Sequence, residues 1–293
     1  MRLATVKIDG EEKGAIITQK GAVLIKTINE NLKGEWDTDL FNLIQSNQLV
    51  EMTEWFNAEG NALVEDIKEY IATGDIEYAP LYRRPRKIWG IGLNYVEHAS
   101  DLKEKAPNTE PASFMKPDTT IIGPNDTIEI PYQSERTTAE SELGVIIGKS
   151  CKDVSEEEAS TVIAGFTTII DMTAEDILEK NPRYLTRSKS FDTFFSFGPQ
   201  LVTPDEVKNV LKLSVSTVIN GQVHRKNVIS NMTFNPWHLV SFHSKVMSLL
   251  PGDIISTGTP GAIHINDGDV VECQIDGFET LINNVKDLKV NNK

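Results

Sequence analysis

The sequence predicts a strand-rich α+β protein, and three observations carry that prediction. From residue 88 onward, short β-branched runs alternate with turn residues: KIWGIG, TIIG, IEIP, ELGVIIG, AGFTTIID, LSVSTVI, DIISTG and DVVECQI. Each has the length and content of a strand. Helical spacing is confined to a few segments, so the regular strand–helix alternation of a βαβ protein is missing. Finally, Asn220-Gly221 inside STVINGQVHRK is a hairpin signal, because both residues tolerate the positive φ of a type I′ turn.

Taken in chain order, the first 30 residues predict short strands. Leu3, Thr5 and Lys7 alternate with Ala4, Val6 and Ile8, DGEEKG turns, and AVLIKTI continues. Helices are expected over about 36–47 (Leu40, Phe41, Ile44) and 61–72 (Leu63, Ile67, Ile71). The stretch YAPLYRRPRK, residues 78–87, holds two prolines and a local excess of positive charge. It is expected to link a small α/β amino-terminal domain, residues 1–80, to a large carboxy-terminal domain, residues 81–293. In the large part, helices are expected over 155–162, 174–180 and 236–250. The last opens on Asn235-Pro236, an N-cap and a first-turn proline, and stops at Pro251-Gly252.

Composition bounds the function. The 293 residues carry 29 Lys+Arg against 43 Asp+Glu, a net charge of −14. That disfavours nucleic acid or an anionic membrane as partner, since either wants a basic face. No apolar run approaches the roughly 20 residues of a membrane span. The start, MRLATVKIDGEEKGA, lacks a signal peptide's apolar stretch. Cys151 and Cys273 make neither a disulfide framework nor a metal-ligand spacing. A soluble cytoplasmic protein is expected.

Several side chains stand out as chemistry. Glu140 and Glu142 precede a buried apolar run, and residues i and i+2 of a strand share a face. Two such carboxylates are costly unless protonated, paired or bound to a cation; the alternative is a solvated strand end. Asp171 closes a second apolar run. It is a candidate third ligand for an oxygen-seeking Mg²⁺ or Mn²⁺, or else the cap of the helix that follows. His98, with Asp101 three residues on, reads as a general base with its orienting acid, or as a surface pair. His238 and His243 have the wrong spacing for one metal, and His224 and His264 carry no signal. Lys116 and Lys189 each interrupt aromatic sequence; a partly desolvated ammonium there holds a carboxylate or enolate oxygen, against the plain alternative of a snorkelling surface lysine. STGTPGA, residues 256–262, places glycines on both sides of Thr259, which suits anion binding or an ordinary turn.

The motifs GLNYVEH, FMKP, ESELGVIIGK, AGFTTIIDMTAED, SKSFDTF, GP and GDIISTGTPG, in that order from residue 87 to about 282, resemble the fumarylacetoacetate hydrolase superfamily. The resemblance implies a rolled mixed β-sheet with a barrel-like core, a homodimer, and a small-molecule 2-oxo acid substrate. It implies Glu140, Glu142 and Asp171 as ligands of Mg²⁺ (or Mn²⁺), and His98 with Asp101 as the His–acid dyad. Lys189 matches the lysine beside the metal and Thr259 the threonine that binds the substrate carboxylate; Lys116, from its own setting, is expected to bind the substrate. One stretch departs. Where the superfamily typically has D-x-S-A-R-D-x-Q, this chain reads Asp171-Met172-Thr173-Ala174-Glu175-Asp176-Ile177-Leu178, so Glu175 and Leu178 replace an arginine and a glutamine that approach the substrate. The reaction expected is hydrolysis of a C–C bond in a fumarylacetoacetate- or acylpyruvate-type substrate through a metal-chelated pyruvate enolate, because a His–acid dyad is what water activation requires. Oxaloacetate decarboxylation and isomerisation of a 2-hydroxy-dienedioate use the same site. A catalytically silent relative is the non-enzyme alternative, favoured by Glu175 and Leu178 and opposed by His98, Asp101 and Lys189.

Overall fold

In the computed structural model, residues 1–96 and 107–290 are described. Their strands are β1 Arg2–Ile8, β2 Glu11–Ile17, β3 Gly21–Leu24, β4 Ile71–Ala72, β5 Ile88–Gly92, β6 Ala112–Lys116, β7 Ile121–Ile122, β8 Thr127–Ile130 and β9 Thr137–Ile147. There follow β10 Ile163–Ala174, β11 Phe195–Val202, β12 Ser214–Ile219, β13 Gln222–Val228, β14 Ile254–Ser256, β15 Ile263–His264, β16 Val270–Ile275 and β17 Leu281–Asp287. They build two sheets. The larger runs β4-β3-β2-β1-β11-β10-β9-β14-β5-β6, with β7 on β11 and β15 on β9; the smaller runs β13-β12-β16-β17-β8. Parallel pairs (β5·β14, β7·β11, β8·β17) sit among antiparallel ones, so both sheets are mixed, as expected. Neither closes on itself among the described residues, so the barrel-like core is two open sheets rather than a barrel.

The central pair β9 and β10 positions everything that follows. All 11 residues of β9 and all 12 of β10 are buried. Alternate side chains therefore serve opposite faces. Ala139, Leu143, Val145, Ile147, Phe166, Ile170 and Met172 pack into the core that includes Val215, Val271 and Leu281 of the smaller sheet. Ile146 and Ile169 turn the other way, into the core with Phe195, Phe197 and Ile254. The strands outrun the apolar motifs because their added threonines are β-branched and find partners. Thr137 Oγ1 donates to Ser134 Oγ and Thr138 Oγ1 to the Thr173 carbonyl.

Around residue 80 the sheet is continuous. β1 pairs with β11, Arg2 opposite Val202, and Leu3, Ile16 and Leu43 share one apolar cluster with Ile146, Phe195 and Phe197. In the expected linker, Ala79, Pro80, Leu81 and Tyr82 are buried while Arg83, Arg84 and Arg86 are exposed. Ala79 N donates to the Thr5 carbonyl, and Thr5 Oγ1 to that of Leu81. Two local expectations shift. AVLIKTI splits into β3 and the helix Ile25–Leu32. The helix expected over 61–72 spans only Asn61–Asp66, Ile71 joining β4 instead. A helical run omitted from the expectation, Gln48–Trp55, leads into it through a π-helical turn, Phe56–Gly60; Leu49, Met52 and Phe56 are its buried stripe. The hairpin is as expected: Ile219 pairs with Gln222 across Asn220 (φ 51°) and Gly221 (φ 75°). So is the helix Pro236–Val246, whose Asn235 side chain accepts from His238 N.

Candidate active site

In the β9–β10 register Glu140 stands directly opposite Asp171, and Glu142 opposite Ile169. Antiparallel partners share a face, so Glu140, Glu142 and Asp171 converge on one side of the sheet, away from the smaller one. All three are buried, and one oxygen from each lies within 4.8 Å of the others. They are mid-strand, not at a strand entrance. Asp171 caps nothing: β10 continues to Ala174, and the helix Glu175–Lys180 begins without a side-chain cap.

Such a cluster is tolerable only with compensation. Lys189, the last residue of the helix Leu185–Lys189, places Nζ 2.9 Å from both Glu140 Oε2 and Asp171 Oδ2. Lys116, at the end of β6, puts its ammonium 2.5 Å from Asp171 Oδ1. Neither lysine snorkels; both are buried. Thr173 Oγ1 donates to Glu140 Oε1 at 2.5 Å. Among the described residues, no ammonium touches Glu142. It accepts from Ser256 Oγ at 2.5 Å and Gly258 N at 2.8 Å. Burial, reinforced by the charges of Asp171 and Glu140, pushes its carboxyl up to about 8. Burial acts on Asp171 in the same direction, but Lys116 and Lys189 outweigh it and hold that carboxyl below its usual range. Burial, with Lys189 nearby, lowers Lys116 against the pull of Asp171, whereas for Lys189 three carboxylates overcome burial and raise it.

With Glu142 ionised, as a cation bound beside it would favour, three carboxylates exceed two ammonium groups by one negative charge in a buried, all-oxygen setting. That donor set fits a hard divalent cation such as Mg²⁺ or Mn²⁺.

The model of the fumarylacetoacetate (FAA) hydrolase C-terminal family matches residues 87–286. The chain belongs to this family. A mitochondrial oxaloacetate tautomerase of Xenopus laevis is 32% identical over 81% of this chain and 77% of its own length. The structure of 5-carboxymethyl-2-hydroxymuconate delta-isomerase from Mycobacterium smegmatis superposes with a TM-score of 0.76 at 29% identity, covering 98% of this chain and 99% of that one. That of maleylpyruvate hydrolase from Sphingobium sp. SYK-6, in complex with manganese (II) ion and pyruvate, gives 0.79 at 26%, covering 98% and 99%. The family thus spans hydrolase, isomerase and tautomerase names on one fold.

Other residues expected from the family pattern have distinct placements. Thr259 is buried, its hydroxyl engaged with Gly261 N and O, each at 3.2 Å. Its loop starts at Gly258, whose φ of +98° and closeness to Asn94 (an added Cβ would lie 2.7 Å from Asn94 Cβ) both require glycine. Glu175 is half-buried, 3.0 Å from Arg136 Nε, and Arg136 also pairs with Glu179. Burial raises the Glu175 carboxyl, and Arg136 opposes this. Leu178 is partly buried on the same helix, while Ile177 points into the core. His98 and Asp101 lie outside the described residues. His238 bonds Glu156 at 2.7 Å, and buried His243 donates from Nδ1 to the Leu239 carbonyl. They share no site.

Four contributors escaped the sequence reading: Thr173, Ser256, Arg136 and Asn94. Buried Asn94 donates to the carbonyls of Phe234 and Thr257 and accepts from Phe234 N. That ties the Gly258 loop to the segment before the helix Pro236–Val246. Ser256 and Gly258 stand two residues apart in STGTPG, a spacing that would have flagged them as one-sided donors.

Proposed function

We propose that this protein is a divalent-metal-dependent enzyme that hydrolyses a C–C bond in a small acylpyruvate-type 2-oxo acid. The charge balance of the buried cluster carries this reading. With Glu142 ionised beside the cation, three carboxylates and two ammonium groups sum to one negative charge. A dication makes that one positive charge, which a monocarboxylate head neutralises. Held by Glu140, Glu142 and Asp171, the cation would supply Lewis-acid polarisation of the 2-oxo acid's oxygens.

The chain's own residues are assigned the remaining tasks. Ser256 and Gly258 N fix Glu142, and Thr173 fixes Glu140. Lys189 and Lys116 put positive charge where negative charge develops on the keto oxygen, and Thr259 holds the substrate carboxylate. His98, oriented by Asp101, takes a proton from water as its oxygen bonds to the distal carbonyl carbon. The C–C bond breaks, its electron pair leaves with the pyruvate enolate while the distal carbonyl becomes a carboxylic acid, and a proton returned to the enolate's methylene carbon gives pyruvate.

A second reading, keto–enol tautomerisation of an oxaloacetate-type acid, is favoured by the relative 32% identical over 81% of this chain. It needs the same head recognition but no water attack. A panel of acylpyruvates, fumarylacetoacetate and oxaloacetate with Mn²⁺, read by pyruvate release and by loss of enol absorbance, separates the two. Under the hydrolase reading, His98→Ala lowers pyruvate release by about two to four orders of magnitude. Enol decay without pyruvate release from any acylpyruvate would replace hydrolase by tautomerase, and silence in both channels would leave a non-catalytic relative.

A further inference from the structure

A groove of about 500 Å³ lies on the amino-terminal helices, apart from the buried carboxylates. The run Gln48–Trp55, Phe56–Gly60 and Asn61–Asp66 presents Glu51, Trp55, Glu59 and Leu63 along one wall, a stripe of four-residue spacing. Ile28 and Leu32, with Glu35 and Trp36, form the other wall. The tryptophan rings meet at 6.2 Å and 41°. Trp55 lies over Gly60, where an added Cβ would be 2.8 Å from its ring. Trp36 is pinned through its backbone by Asn29, which accepts from Trp36 N and donates to Trp36 O. The floor is therefore aromatic and preformed.

Its charge is one-sided. Glu35, Glu51 and Glu59 are exposed at the rim, and among the described residues no Lys or Arg lines the groove. From residue 34 to 67 the sequence contains no Lys or Arg and eight Asp or Glu. An apolar aromatic trough under a carboxylate rim is complementary to apolar anchors flanked by cations, through burial, ion pairing and cation–π contact. Glu51 and Glu59 are separated by eight helical residues, a rise of about 12 Å, so the matching cations stand about two helical turns apart. A second copy of this chain carries the same net charge of −14 and the same carboxylate rim, so a basic partner is the better electrostatic complement.

We propose that this groove is a docking site for a basic amphipathic helical segment of a partner protein. The probe is a fluorescein-labelled leucine–lysine peptide of roughly four helical turns, with leucines on one face, titrated with the intact protein and read by anisotropy. Wild type binds it. Glu51→Lys/Glu59→Lys weakens binding at least about tenfold, and Trp55→Ala weakens it too. The control Glu157→Lys/Glu279→Lys, with the same charge change at exposed positions outside the groove, does not. All four replaced glutamates are exposed, so folding is preserved and is checked by circular dichroism. No binding by wild type, an equal loss in the control, or equal binding of a glutamate-for-lysine peptide overturns the proposal. A concentration-dependent dimer that E51K/E59K abolishes would make the groove an interface between copies. Full displacement of the peptide by tetramethylammonium would make it a small-cation site. Either result overturns the peptide assignment.

Discussion

Individual side chains decide whether the buried cluster is a liability or a site. Glu142 is the sharpest case: among the described residues it has hydroxyl and amide donors but no ammonium, and its carboxyl is pushed up to about 8. A cation that joins it to Glu140 and Asp171 removes that conflict and stabilises the folded state through linkage. Saturating Mn²⁺ should raise the melting temperature of the wild type by at least ~3 °C, on the basis of about 2.7 kcal/mol at a hundredfold excess over Kd. Glu140→Ala should show no such rise while its circular dichroism stays native. An identical Mn²⁺ response in both would remove Glu140 from the ligand set. Glu175 is the second case. Read from sequence against the expected D-x-S-A-R-D-x-Q pattern, it sets a negative charge in place of an arginine; in the fold, Arg136 holds it at 3.0 Å, so the reversal is partly neutralised. The double change Glu175→Arg, Leu178→Gln should raise kcat/KM for fumarylacetoacetate relative to a short alkyl acylpyruvate by about tenfold, one charged hydrogen bond's worth. An unmoved ratio would place residue 175 outside substrate recognition.

Elements carry a different kind of consequence. The helix Pro236–Val246 starts cleanly because Asn235 caps it and Pro236 lacks the N–H that the first turn leaves unused. Its buried face includes His243, whose ring packs against Trp89 with centroids 4.6 Å apart and planes tilted by 50°. Burial lowers the imidazole's pKa, against the Leu239 carbonyl bond that raises it. The unfolded chain therefore takes up a proton at this position near the ordinary 6.5 while the folded chain does so only at lower pH. More protons are bound unfolded in that window, so the stability His243 allows at neutral pH is lost as pH falls through 6.5. His243→Gln should flatten the decline in melting temperature between pH 7.5 and 5.5 by about 2 °C or more. Parallel curves for wild type and variant would show that other groups govern acid lability.

At the level of the whole molecule, one sheet joins the amino-terminal segment to the rest. β1 covers the edge of β11, and Leu3, Ile16 and Leu43 cover Phe195, Phe197 and Ile254. Removing residues 1–80 would bare both a strand edge and an apolar face, a combination that drives aggregation. The shortened chain should be insoluble or lack a cooperative melt, judged by sedimentation and thermal circular dichroism. A soluble, cooperatively melting, Mn²⁺-binding fragment would instead establish residues 81–293 as an independent domain.

Much of this protein follows from sequence by itself, because the signals are local. Period-two runs specify the strands, Asn220-Gly221 the hairpin, Asn235-Pro236 the helix start, and the i, i+2 spacing the shared face of Glu140 and Glu142. The order of the motifs also suffices for the family. Other features depend on pairing between distant segments, which no window of sequence contains. Strand register sets Asp171 against Glu140 across 30 intervening positions in the chain, and Lys116 and Lys189 reach the same carboxylates from β6 and from a helix end. Asn94 meets Phe234 and Thr257, Arg136 meets Glu175, and β1 meets β11 in the same way. Sequence supplies the charged groups and their faces. Tertiary structure alone decides which of them become neighbours, because a buried charge is stable only beside the partner that the packing of remote strands brings to it.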